Sequence, residues 1–198
     1  MSKKRIRNKK IILASGSKNR QQALTIAKIP FQSIPSEIDE KSIRDPNIFK
    51  QVIKVARAKV QAIQSKYSGI ILGADGVNIC QGRILEKPND LSEAVSMLQL
   101  QSGQICSFVT GFYLTNAQSQ KSYSGVSETI YKFRILTGEE IEHYVRSEPV
   151  LTWAAAFSPS NSIALTFVDY IHGSYSNFSY SLPFEKIIPI LQREKALV

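Results

Sequence analysis

The stretch Ile11-Ile12-Leu13-Ala14-Ser15-Gly16-Ser17-Lys18-Asn19-Arg20 decides the fold class. Its four leading apolar residues predict a short buried strand. Ser17 then offers the N-cap of a helix that runs to about Ile29, with Ala23, Leu24, Ala27 and Lys28 at helical spacing, and stops at Pro30. A strand feeding a tight loop and a helix is an α/β opening. The loop also has a chemistry of its own. Free backbone N–H groups at a helix start attract phosphate. The Ser15 and Ser17 hydroxyls can donate, and Arg20, one turn in, can fork onto phosphate oxygens. The stretch has neither the GxxxxGK[ST] of a P-loop nor GxGxxG, so taken alone it reads first as an ordinary helix start.

Working outward, Phe31–Ile38 alternates loosely as a second strand and ends at the acidic corner Asp39-Glu40. A helix over about Asn47–Lys66 places Phe49, Val52, Ile53, Ala56, Val60 and Ile63 on one side, with Lys59 bordering that stripe. Gly69–Asp75 is a buried-strand pattern that ends in an acidic residue. Gly82 marks a turn before a short strand over Arg83–Lys87, closed by Pro88. Capping-box spacing at Asp90/Glu93 and at Thr137/Glu140 opens helices to about Gln101 and Ser147. Cys106–Thr115 and Tyr123–Arg134 form a hairpin around Asn116–Lys121. Ile163–Ile171 reads as a strand, and Pro183 starts a last helix, perturbed or broken at Pro189. Strands and helices alternate without strict βαβ order, which predicts a mixed sheet covered by helices.

Composition narrows the function. The chain has 198 residues and 43% hydrophobic content, which suits a folded domain with a real core. No apolar run reaches the ~20 residues that cross a bilayer, and no apolar segment of signal-peptide length follows the N-terminus. The formal charge of +9 is largely a tail effect. Residues 1–10 hold six basic side chains and no acidic one, leaving nineteen basic against sixteen acidic elsewhere. That basic, flexible tail is read as a solvated terminus in preference to a nucleic-acid contact. Cys80 and Cys106 provide no disulfide framework and no metal-ligand spacing, and are expected as buried thiols in a reducing cytoplasm. With two histidines, any metal would be a hard cation on carboxylates.

Two carboxylates and three cations remain as candidates. Asp75 closes an apolar strand, where a charge is costly without a partner and where α/β sheets bind ligands. Against this, it also suits a turn before Gly76. Glu40 can supply a second carboxylate. Arg20, Lys59 and Lys87 complete a set suited to metal-assisted chemistry at a polyphosphate. No acyl-transfer triad can be assembled around His143 or His172.

In order along the chain, these motifs resemble the Maf family of septum formation inhibitor proteins, nucleoside triphosphate pyrophosphatases. The matching text is Ile12–Ser17, Ile38-Asp39-Glu40, Ala56-Arg57-Ala58-Lys59, Gly73-Ala74-Asp75, Gly82–Pro88, Glu93–Leu98, Val109-Thr110-Gly111, Gly173–Asn177 and Leu182-Pro183. The resemblance spans about residues 11–192. It implies a mixed, elongated β-sheet flanked by helices, in two lobes with a cleft (a Maf/ITPase-like α/β fold), over a single domain of residues 11–198. It implies cytoplasmic hydrolysis of a standard or modified nucleoside triphosphate to monophosphate and pyrophosphate. Ser15, Ser17, Arg20, Lys59 and Lys87 would bind phosphate. Asp75 would be the catalytic carboxylate, and Glu40 with Asp75 would bind a divalent metal, Mg²⁺ or Mn²⁺. A homodimer follows by analogy alone.

Departures concentrate in the second half. The family's Ser-Pro-Arg-Arg is Ser17-Lys18-Asn19-Arg20. Threonine after the aspartate becomes Gly76, and the Asp-Lys pair and glutamine of a later motif become Thr152, Trp153 and Ser160. Near the end, Val-Val-Gly-Leu-Pro gives way to a stretch with Ser181 before Leu182-Pro183. These changes admit an alternative, a catalytically weakened nucleotide-binding or regulatory relative.

Overall fold

The computed structural model describes residues 11–160 and 163–197, so the basic tail over residues 1–10 lies outside the described residues. The expected opening unit is present. β1 (Ile11–Leu13) leads to α1 (Lys18–Ile26), whose N-cap is Ser17, with the side chain accepting from the Arg20 amide. β2 (Phe31–Ser33) is shorter than its pattern, and Glu40 begins a single 3₁₀ turn capped by Asp39. Asn47 caps α2 (Ile48–Ile63). β3 (Ile70–Cys80) turns through Gln81 and Gly82, both with positive φ, into β4 (Arg83–Leu85). Asp90 caps α3 (Leu91–Gln101). β5 (Ile105–Asn116) and β6 (Lys121–Phe133) form the long hairpin, and α4 (Gly138–Ser147) starts on a complete Thr137/Glu140 capping box.

The last third departs further from the sequence pattern. Residues expected as one strand over Ile163–Ile171 divide into a 3₁₀ segment, Ile163–Phe167, and β7 (Val168–His172). Phe167, in that segment, is buried in the core. α5 (Tyr175–Tyr180) had no clear signal. α6 (Phe184–Arg193) passes through Pro189 without breaking, because Pro189 sits on the solvent side while Ile187 and Leu191 anchor the buried face.

The strands form one seven-stranded mixed sheet in the order β2-β1-β3-β5-β6-β7, with β4 also on β3. β1 is parallel to β2 and β3, and the other pairings are antiparallel. The long strands thread two larger hydrophobic cores on one face of the sheet. Ile70 and Leu72 of β3, with Phe112 and Leu114 of β5, pack with α1 and α6. Cys80, Cys106, Phe108, Tyr131 and Phe133, further along β3 and β5 and on the neighbouring β6, pack with α3 and α4.

On the opposite face, α2 lies almost on the sheet. A Cβ on Gly73 would stand 2.4 Å from the Ala56 carbonyl oxygen, and one on Gly111 would stand 2.5 Å from the Val52 carbonyl carbon. Val52, Val55, Val60 and Ile63 are buried there, each worth roughly 1.5–3 kcal/mol, so apolar burial fixes the helix and carries Lys59 inward with it. Phe49, expected on that face, is instead substantially exposed at the first turn. No helix among the described residues is long and apolar enough to cross a membrane.

Both cysteines are buried as expected, but the expectation of free thiols is overturned. β3–β5 register sets Cys80 directly opposite Cys106 with Cα atoms 4.5 Å apart, and the two are joined as a disulfide inside the α3 core. Such closeness belongs to directly facing residues of antiparallel strands. A gap of 26 positions in the sequence does not reveal it.

Candidate active site

β1 ends at Leu13, paired to Leu72, and β4 takes up the same edge of β3 only from Asn78. Over residues 73–77, β3 therefore has no strand beside it on that edge among the described residues. Asp75 is thus not at a strand end, as its apolar run suggested, but halfway along β3 and opposite Gly111 of β5. The gap lets side chains from both faces of the sheet reach one cleft of about 1100 Å³.

From the α2 face, Lys59 enters. Its ammonium is ion-paired with Glu40 Oε2 at 2.8 Å, and donates to Asp75 Oδ1 at 3.2 Å and to the Ala74 carbonyl at 3.4 Å. The ammonium is thus committed to two carboxylates and a carbonyl, and the Lys59 side chain is only 5% exposed. Burial pushes the Asp75 carboxyl above the ordinary carboxylate value; Lys59 and Arg20 pull it down, and Glu40 adds to the rise. The outcome is a carboxylate that holds a proton more readily than an exposed one.

From the α1 face comes Arg20, buried as well. Its Nε donates to the Ser181 carbonyl at 3.0 Å, Nη2 to Ser181 Oγ at 2.7 Å and Nη1 to Ser15 Oγ at 3.1 Å. Burial lowers its affinity for its proton, while Asp75 and Glu40 act in the opposite direction; a guanidinium stays charged regardless. Ser15 Oγ also accepts from the Ser17 amide at 3.2 Å, so its own proton is available to a ligand.

All the sequence-predicted residues line this one cleft: Ser15, Ser17, Arg20, Glu40, Lys59, Asp75 and Lys87. Lys87 is exposed, on the loop after β4, and makes no ion pair among the described residues. The rewritten positions Thr152, Trp153 and Ser160 also line the cleft, as do Phe108, Phe157 and Phe178. Asn19, where the resemblance has arginine, donates to Ser158 Oγ at 3.2 Å.

Sequence reading missed Ser181 and Ser179. Ser179 Oγ lines the cleft, is buried and has no hydrogen-bond partner among the described residues. The signal for both was their place just before Leu182-Pro183.

The donor set has a bearing on metal binding. Among the described residues, no three His, Cys, Asp or Glu side chains cluster tightly enough to cage an ion. Glu40 and Asp75, held together by one ammonium, offer hard oxygens and suit a Mg²⁺-type ion that takes its other ligands from phosphate and water.

The Maf-like protein family model matches residues 10–194, and the chain belongs to that family. It is 29% identical over 187 residues to a 7-methyl-GTP pyrophosphatase of Vibrio vulnificus, covering 94% of this chain and 96% of that protein. It is 33% identical over 186 residues to a dTTP/UTP pyrophosphatase of Bacillus cytotoxicus, covering 93% and 95%. Among solved structures, a HAM1 protein from Coxiella burnetii aligns with a TM-score of 0.47 and 14% identity over 93% of this chain and 98% of that one.

Proposed function

We propose that this member of the Maf-like protein family is a nucleoside triphosphate pyrophosphatase. Water attacks the α-phosphorus, the bond to the bridging oxygen breaks, and nucleoside monophosphate and pyrophosphate leave. The observation that carries this reading is the meeting of Asp75, Glu40 and Lys59 with Arg20 and Ser15 at one gap in the edge of β3.

Each residue then has a task. Asp75 accepts the proton of the attacking water, and its raised proton affinity suits that task. Lys59 holds the two carboxylates in place and offsets their charge. Arg20, with Ser15, Ser17 and the amide end of α1, takes the phosphates. Lys87, exposed on its loop, neutralises charge on the departing pyrophosphate. Glu40 and Asp75 would hold Mg²⁺ or Mn²⁺, which supplies charge neutralisation to the phosphate chain when bound. Phe108, Phe157 and Phe178 with Trp153 receive the base. The names of the relatives support a nucleoside triphosphate as substrate class.

Pyrophosphate release from a panel of standard and methylated triphosphates, with Mg²⁺ or Mn²⁺, tests this reading. Cleavage well above an Asp75→Asn control supports it, and no cleavage above that control overturns it. Tight binding without turnover would favour the regulatory alternative, in which Thr152, Trp153 and Ser160 have cost the chain its catalysis.

A further inference from the structure

Ser181 sits at the C-cap of α5 in the left-handed region, with φ 53° and ψ 41°, a conformation that favours glycine. A serine held there against its preference suggests a use for the side chain. Both of its oxygens face one guanidinium: the carbonyl accepts from Arg20 Nε and the hydroxyl from Arg20 Nη2. Thr110 Oγ1 lies 3.4 Å from the same hydroxyl.

The room for that hydroxyl comes from β3. A Cβ on Gly76 would stand 2.5 Å from Ser181 Oγ, 2.8 Å from Phe108 Cζ and 3.1 Å from Thr110 Oγ1. Gly76 and Ser181, two departures more than a hundred positions apart in the sequence, are therefore one adjustment in space.

We infer that Ser181 is a positioning residue that aims the Arg20 guanidinium into the cleft, and that Gly76 is the space that lets it do so. Ser181 engages two guanidinium N–H groups, on Nε and Nη2, and Ser15 a third, on Nη1, which leaves one N–H on each Nη for a ligand. Two donors held in advance suit the oxygens of a polyphosphate chain, and the ordering is complete before the ligand arrives. This inference rests on the proposal that the cleft binds triphosphate.

The test uses the full chain, with inorganic tripolyphosphate as the calorimetric probe at fixed ionic strength and Tm read in parallel. Ser181→Ala keeps the left-handed strain and loses the hydroxyl; Ser181→Gly loses the hydroxyl and relieves the strain. Both are expected to weaken tripolyphosphate binding about tenfold, as loss of one hydrogen bond to a charged group would, while Tm falls in S181A and recovers in S181G. Gly76→Ala, with Ser181 intact, is expected to weaken binding to a similar degree. In G76A/S181G the two losses should not add.

An affinity that follows Tm across S181A and S181G reduces Ser181 to a helix cap and overturns the inference. So does unchanged binding in S181G while Arg20→Lys weakens it, and in that case the phosphate reading survives. If neither the native chain nor R20K responds to tripolyphosphate, the phosphate reading falls and takes this inference with it.

Discussion

Lys59 Nζ lies 3.2 Å from Asp75 Oδ1 because the backbones that carry them nearly touch. α2 approaches β3 so closely that Gly73 has space for a hydrogen where any other residue has a methyl or more. The ion pair at the centre of the cleft is thus a product of helix–sheet packing.

Gly73→Ala should therefore act on both stability and site. Its Cβ would lie 2.4 Å from a backbone oxygen that has no rotamer with which to yield. The expected cost is about 1–3 kcal/mol of stability by denaturant titration, the usual range for overpacking, with turnover reduced as Lys59 is lifted from Asp75. Native-like stability with full activity would show that α2 tolerates a wider gap.

Asp75→Asn separates function from fold. Turnover should fall by about 10²–10⁴-fold, the scale of a lost general base. Stability should move differently with pH. The folded carboxyl binds its proton more readily than the unfolded one at 3.8, so its favourable contribution is complete at low pH and disappears as pH rises through the folded value. Relative to the native chain, the asparagine variant should accordingly be more stable at pH 7 than at pH 4, as measured by Tm at both.

Lys59→Met removes the strongest pull that keeps Asp75 ionised. The acid limb of the rate–pH profile should shift to higher pH in whatever activity survives. A limb that stays put would mean that another group controls it.

The Arg134–Glu140 fork, at the start of α4, gives a pH signature remote from the cleft. Arg134 donates to both oxygens of Glu140, whose carboxyl also accepts from the Thr137 amide and is held down to about 2 from 4.5. The stability this contributes is present above about pH 4.5 and lost as pH falls toward 2. Glu140→Gln should therefore lower the denaturation midpoint at pH 7, with the deficit closing on acidification.

Legibility in the sequence followed the range of the interactions. The Ser17, Asp90 and Thr137 caps, the β5–β6 hairpin and the β1–α1 unit were readable because their signals are local. The candidate cluster of Arg20, Glu40, Lys59, Asp75 and Lys87 was readable as an ordered set of motifs, and the fold brings all five to one cleft. Strand register was not readable, and it is register that joins Cys80 to Cys106 and carries β3 beyond Asp75. Nor was the Ser181–Arg20 contact, which spans 161 positions. The apolar pattern of Ile163–Ile171 suited a strand, but Phe167 found its core from a 3₁₀ turn.

Three strands run uninterrupted through the two larger hydrophobic cores, and Asp75 is mounted on one of them. In such a frame, narrowing the opening means flexing ladders of backbone hydrogen bonds. Specificity must then come from a mould whose shape is largely set before anything enters, and heating should melt both ends of the molecule together.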